Sequence, residues 1–183
     1  PPYQKALDAG VGTVMASFNS INDLKCHANG YLFNDLLKDE MGFDGFVISD
    51  WQGIDEIPGD YKSDIINSVN AGIDMIMVPG AVPHGGEHYK TFLRLFKEAV
   101  DEGLITEERL NDAVRRIMRI KYRSGLMNNP MTDRTLLEKA GSIEHKDLAR
   151  EAVQKSQVLL KNDGLLPLNK SNNYFVTGSG ADD

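Results

Sequence analysis

Apolar residues along this chain fall alternately into short continuous runs and helically spaced stripes. Val11 to Phe18 is short, apolar and rich in Val, Met and Phe, and it closes on polar Asn19-Ser20, which predicts a strand. After a polar loop, Leu32, Phe33, Leu36 and Leu37 recur at helical spacing within Tyr31 to Glu40, and Gly42 is placed to stop that helix. Gly45-Phe46-Val47-Ile48 is a continuous apolar run with polar neighbours, as in a parallel strand covered on both faces. Ile65, Ile66 and Val69 predict a second helix over Ser63 to Ala71, ended by Gly72. Ile73 to Val78 predicts a third strand, closed by Pro79-Gly80.

A third helix carries Phe92, Leu95, Phe96 and Ala99 toward a core. Thr106 then reads as an N-cap, with Glu107 and Glu108 in the first turn to meet the helix dipole. Leu110, Ala113, Val114, Ile117 and Ile120 mark an amphipathic helix ending near Gly125. Three successive strand–helix units imply right-handed crossovers and a parallel sheet, so the fold class is α/β. Beyond Gly125 the character changes. Asn128-Asn129-Pro130 is a turn, Ile143 to Ser156 predicts a helix with Leu148, Ala152 and Val153 inward, and Lys161-Asn162-Asp163-Gly164 is a tight turn. A Lys/Ser/Asn linker follows, and Tyr174 to Val176 starts what reads as a further strand.

Composition removes several function classes. With 20 Lys and Arg against 27 Asp and Glu, a net charge of −7, the chain lacks the basic surplus that neutralises phosphates, so neither nucleic acid nor an anionic membrane surface is an expected partner. Its apolar runs stop far short of the ~20 residues that span a bilayer. A lone cysteine, Cys26, permits no intrachain disulfide and no cysteine metal cluster. The chain opens on Pro1-Pro2 rather than Met, which suggests a fragment or a processed product with any targeting segment out of sight.

The stretch richest in chemistry is Gly45-Phe46-Val47-Ile48-Ser49-Asp50-Trp51. An apolar strand here delivers a carboxylate and then an indole at its C-terminal end, where parallel α/β folds and (β/α)8 barrels project their catalytic groups. One group suits attack on an anomeric carbon and the other offers an apolar face to a sugar ring. The pattern is equally met if Asp50 caps the following turn and Trp51 packs half-buried.

The segment resembles the nucleophile motif of glycoside hydrolase family 3. Val14-Met15-Ala16-Ser17-Phe18-Asn19 with Lys25-Cys26-His27-Ala28-Asn29 is similar to the preceding barrel strand and loop of that family, and Ala71 to Pro79 to the strand that follows. Leu110 to Leu126 resembles the last barrel helix, and Leu159 to Leu168 the passage into the second domain. The resemblance implies the C-terminal portion of a (β/α)8 barrel over residues 1–128, with a helix and interdomain linker over 129–171. Residues 172–183 would begin a second α/β sandwich domain.

It also implies a retaining β-glycosidase acting on β-linked glucosides or oligosaccharides, with two carboxyl groups about 5–5.5 Å apart. On that reading Asp50 is the nucleophile and the acid/base lies outside the visible chain. Trp51 flanks the next sugar subsite, and Met15 and Phe18 line the pocket floor. Phe18 stands where a Tyr is common, and Ile21 where some members carry Trp. No metal or organic cofactor is implied, and an extracellular or periplasmic location is favoured.

Two rival readings differ in class. One is a carbohydrate-binding or structural fragment without turnover. The other is a metal-dependent hydrolase on His84-Gly85-Gly86-Glu87-His88, whose His-x-x-Glu-His spacing requires a rigid helix that Gly85-Gly86 argues against. His27 and Cys26 read as loop and packing residues. A solvated face accounts for Asp55, Glu56, Asp60 and Glu87, and Met75 and Met77 read as core. Gly178-Ser179-Gly180 faintly matches a phosphate loop, and Asn169-Lys170-Ser171 a glycosylation sequon. A full barrel takes ~250 residues. The 183 residues therefore read as a cut through a larger enzyme, with open strand edges, needing the rest of its own polypeptide and inactive alone.

Overall fold

The computed structural model describes residues 2–80 and 88–181, and the chain divides into two compact units, Pro1–Met131 and Thr132–Asp183. The first unit is mixed α/β. Its elements are helix α1 (Pro2–Asp8), strands β1 (Thr13–Met15), β2 (Ser20–Ile21), β3 (Leu24–Lys25) and β4 (Phe46–Ile48), and helices α2 (Tyr61–Asn70), α3 (His88–Asp101) and α4 (Glu107–Arg123). A wide-turned π-type helix, Tyr31–Glu40, joins β3 to β4. No helix among the described residues is long and apolar enough to cross a membrane.

β1 and β4 pair in parallel, Thr13 opposite Phe46, Val14 opposite Val47 and Met15 opposite Ile48. β2 and β3 form a hairpin whose two-residue turn, Asn22-Asp23, has φ of 51° and 64°. Such turns need positive φ at both positions, which Asn and Asp tolerate better than most residues. The strand predicted over Val11 to Phe18 is thus shorter, Thr13–Met15, because the chain turns into the hairpin. The third predicted strand reduces to one parallel bridge, Ile48 to Met75. Beyond Met75 the Ser49 hydroxyl takes the Met77 N–H at 2.7 Å, so a side chain replaces the ladder partner.

The helix predicted over Tyr31 to Glu40 forms, with its turns widened so that the Met41 N–H reaches the Leu36 carbonyl. Gly42 stops it at φ 71°, which lets the Phe43 N–H close on the Leu37 carbonyl at 3.1 Å. Ala16, Phe33, Leu37, Phe43, Val47 and Ile73 make one core. Ile54, Ile57, Ile65, Val69, Ala99 and Ile105 make a second, between α2 and α3. α2 begins two residues before its predicted start because Asp60, read above as a solvated acid, is its N-cap, accepting from the Lys62 and Ser63 N–H groups at 3.0 Å each. Thr106 caps α4 through the Arg109 N–H.

A buried ionic network ties these elements together. Lys38 Nζ donates to Asp74 Oδ1 at 2.9 Å and to the Gly72 carbonyl at 2.7 Å, while Asp74 Oδ2 accepts the Val47 N–H at 2.8 Å. Arg109 bridges Asp74 and Asp112, and Arg116 holds Asp112 and the carbonyls of Phe43 and Gly45. Burial pushes Lys38 down to about 8 against the opposing pull of Asp74, so the ammonium keeps its charge at neutral pH.

In the second unit Ser142 caps helix α5 (Ile143–Ser156) through the His145 N–H. Leu148 and Val153, predicted to point inward, are 65% and 57% exposed. Tyr174 to Val176 belongs to no strand, since a strand needs a ladder partner and the described residues supply none. Asn169 Oδ1 accepts from the Ser171 N–H and hydroxyl, closing a local turn across the sequon.

Candidate active site

The site is built at the C-terminal end of β4. Ser49, fully buried, continues the ladder by donating its N–H to the Met75 carbonyl at 2.9 Å. Its hydroxyl donates to the Asp50 carbonyl at 2.9 Å, and the Gly53 N–H reaches the same carbonyl at 3.1 Å. The chain reverses over Asp50 to Gly53 with Gln52 left-handed at φ 55°, as a type II turn needs at its third residue and a type I turn does not.

On the other side of the same residue, the Asp50 N–H donates to His27 Nε2 at 3.0 Å. His27 is 1% exposed and sits in the single 3-10 turn Cys26–Ala28 that follows the hairpin. The Phe18 ring meets it edge-on, centroids 6.0 Å apart. Gly53 lies so close that a Cβ there would stand 2.2 Å from Nε2, so any side chain at 53 displaces the imidazole or the turn. Burial holds the His27 imidazole below its ordinary value, outweighing the Asp50 carboxylate, which favours the cation, and aided by Lys25, which opposes it.

Asp50 Oδ1 accepts the Trp51 N–H at 2.6 Å, so the carboxylate caps its own turn on one oxygen. Trp51 is not the half-buried packing residue that the sequence also allowed: it is 58% exposed. Phe18 is brought to Asp50 through His27, whereas Met15 stands in β1 level with Ile48 and lines an apolar groove with Tyr3, Val14, Leu32 and Leu36. His27, read from the sequence as a loop and packing residue, is buried in the turn Cys26–Ala28, and its bond to the Asp50 backbone is the contact that the sequence reading did not include. Its 23-position separation from Asp50 and its backbone target leave no pattern to read.

A second polar cluster joins the short 3-10 turn Gly53–Glu56 to the first turns of α2 and α3. His88 Nε2 lies 3.4 Å from Asp55, and its ring stacks on Tyr61 at 4.6 Å. Asp55 is therefore paired rather than simply solvated, and burial pushes its carboxyl up against the counter-pull of His88. His84 and Glu87 of the His-x-x-Glu-His spacing lie outside the described residues. Among the described residues no group of three or more His, Cys, Asp or Glu side chains is arranged to hold a metal ion.

The sequence profile of the Glycosyl hydrolase family 3 N terminal domain matches residues 1–120, which include β1, β4, the Asp50 turn and most of α4. The chain belongs to glycosyl hydrolase family 3. This family 3 chain is 35% identical over its whole length to a periplasmic β-glucosidase of Salmonella typhimurium, of which it covers 24%. It is 33% identical over 93% of its length to a β-xylosidase of Formosa agariphila, again covering 24%. Among solved structures, an exo-1,3/1,4-β-glucanase from a Pseudoalteromonas species superposes with a TM-score of 0.69 at 41% identity, covering 89% of this chain and 20% of that one. A β-glucosidase from Listeria innocua in complex with glucose superposes at 0.67 with 32% identity, covering 92% and 23%. The chain thus spans about a quarter of the length of the curated relatives it matches.

Proposed function

We propose that this chain is the nucleophile-bearing part of a retaining β-glycosidase that releases terminal β-D-glucosyl or related residues from β-linked glucosides and oligosaccharides. The observation that carries the reading is Asp50. Its carboxylate follows the end of β4, its backbone is held from both sides by buried residues, and it stands beside an exposed indole. The relatives' names, β-glucosidase, β-xylosidase and exo-β-glucanase, support the reaction class, and the Listeria innocua protein has been solved with glucose and, as a mutant, with laminaribiose.

In the proposed mechanism the Asp50 oxygen not held by the Trp51 N–H attacks the anomeric carbon. The bond to the leaving oxygen breaks as a carboxylic acid outside residues 1–183 protonates it, giving a glycosyl ester on Asp50. The same outside group then takes a proton from water, which attacks the anomeric carbon and frees Asp50. Trp51 stacks on the leaving sugar, and Phe18 and Met15 shape the apolar floor. Residues 1–128 form the later part of a (β/α)8 barrel, 129–171 a helix and linker, and 172–183 the start of a second α/β sandwich. An extracellular or periplasmic location accords with the periplasmic relative.

The test is Asp50→Ala in the full-length protein, assayed on an aryl β-glucoside. Loss of the nucleophile is expected to lower kcat by about 10⁴-fold or more. Hydrolysis at the parental rate by a correctly folded variant would discard the mechanism.

A further inference from the structure

We propose that His27 is a positioning residue. Its neutral imidazole, wedged between the Phe18 ring edge and the Gly53 backbone, fixes the peptide N–H of Asp50 through Nε2 and so aims the Asp50 carboxylate. The inference rests on the reading of Asp50 as nucleophile and adds to it a residue that touches neither sugar nor water.

Three observations converge. Nε2 accepts a hydrogen bond at 3.0 Å, which places the ring proton on Nδ1 and excludes the imidazolium, because a protonated Nε2 would face the Asp50 N–H donor to donor. The imidazole is 1% exposed, so water does not replace it as the acceptor. The far side of Asp50 is held at its carbonyl by the Ser49 hydroxyl, itself fixed by the Met77 N–H at 2.7 Å. The Gly53 N–H holds the same carbonyl and the Trp51 N–H takes one carboxylate oxygen, so His27 is the partner that fixes the N–H side of Asp50. A displacement of about 1 Å at a reacting group costs on the order of 10²-fold in rate, so a latch on this backbone has kinetic weight.

The groups that face the ring fix how the latch responds to pH. Burial, the largest influence, disfavours the charge, Asp50 draws the ring toward the cation, and Lys25 repels a proton. The latch is closed at neutral pH and opens as pH falls below the ordinary histidine range.

The test compares His27→Leu, which removes the acceptor, with His27→Gln, whose amide oxygen supplies an acceptor that does not titrate. Both are made in the full-length enzyme beside Asp50→Ala, and kcat and KM are followed against pH. His27→Leu is expected to lose about 10- to 100-fold in kcat with KM little changed. His27→Gln is expected to recover most of that loss and to shift the acid limb of kcat/KM to lower pH.

Parental kcat in His27→Leu, or an unmoved acid limb in His27→Gln, overturns the positioning role. Where His27→Leu does not fold, the acid limb of His27→Gln decides alone. Inactive Asp50→Ala alongside unaltered His27 variants sinks this inference and leaves the nucleophile standing. Active Asp50→Ala sinks both.

Discussion

The two ends of β4 are held in opposite ways. At the N-terminal end, Arg116 donates to the Phe43 and Gly45 carbonyls at 2.8 and 3.0 Å, and Arg119 to the Asp44 carbonyl at 2.6 Å. Asp74 meanwhile satisfies the Val47 N–H. At the C-terminal end Trp51 is exposed. In the turns of α2 and α3 that follow this end and the next, Tyr61 Oη, Asp64 Oδ1 and His88 Nδ1 are buried without a hydrogen-bond partner among the described residues. One end commits its charges to carboxylate partners and backbone carbonyls, with Arg109 Nε alone of its buried polar atoms lacking a partner among the described residues. The other keeps a carboxylate, an indole and several unpaired polar atoms, each at a cost in stability of the kind that binding surfaces carry.

Substitutions at the two ends test that contrast. The largest stability effect belongs to Lys38→Met, which removes one partner of the buried Lys38–Asp74 pair. It is expected to cost about 3 kcal/mol, the low end for a broken buried pair because Arg109 still faces Asp74. Urea unfolding reads the loss, and the folded fraction should keep its kcat. A fall in kcat without a fall in stability would erase the distinction between the ends.

Arg116→Leu leaves two carbonyls without their guanidinium donor and Asp112 with Arg109 and Lys38 only, with an expected loss of about 1–3 kcal/mol by the same measurement.

Asp64→Asn, beyond the C-terminal end of β4, should act in the opposite direction and least. Burial first, then Asp55 and Asp60, push the Asp64 carboxyl up to about 6, above the 3.8 of an unfolded chain. The folded state therefore binds the proton more tightly, and ionised Asp64 is a burden above about pH 6 that fades as pH falls toward about 4. Asparagine imitates the protonated acid. The variant should melt slightly higher at about pH 7.5 and level with the parent near pH ~4.5. A lower melting temperature at the higher pH would show that ionised Asp64 supports this end.

Most of the scaffold was legible because its signals are local. The Thr106 cap, the stripe through Leu110 and Ala113, and the apolar run ending at Ile48 each depend on neighbours within a few positions. What was illegible depends on distant partners. Lys38 sits among the apolar residues of its helix because Asp74 waits 36 positions away. The third strand shortens because a serine hydroxyl, 28 positions back, takes the Met77 N–H. Asp60 declared itself only with its cap geometry. At the site, the strand pattern left two readings of Asp50 open. The reading of Asp50 as nucleophile came from a resemblance that extends along the chain and takes in the Lys25–Asn29 loop, but that resemblance gave His27 no role.

The Lys38–Asp74–Arg109–Asp112–Arg116 network also governs how the molecule meets heat. Charged groups lose hydration free energy as temperature rises, so the penalty for burying Lys38 and Asp74 and partly burying Arg109, Arg116 and Asp112 shrinks on warming while the stabilisation per area of buried hydrocarbon levels off. The junction of β4, the Asp74 segment and α4 is accordingly the part of the first unit whose relative hold increases on heating. Thermal loosening should begin away from it, in the turns around Trp51 and Tyr61, and reach the N-terminal end of β4 last.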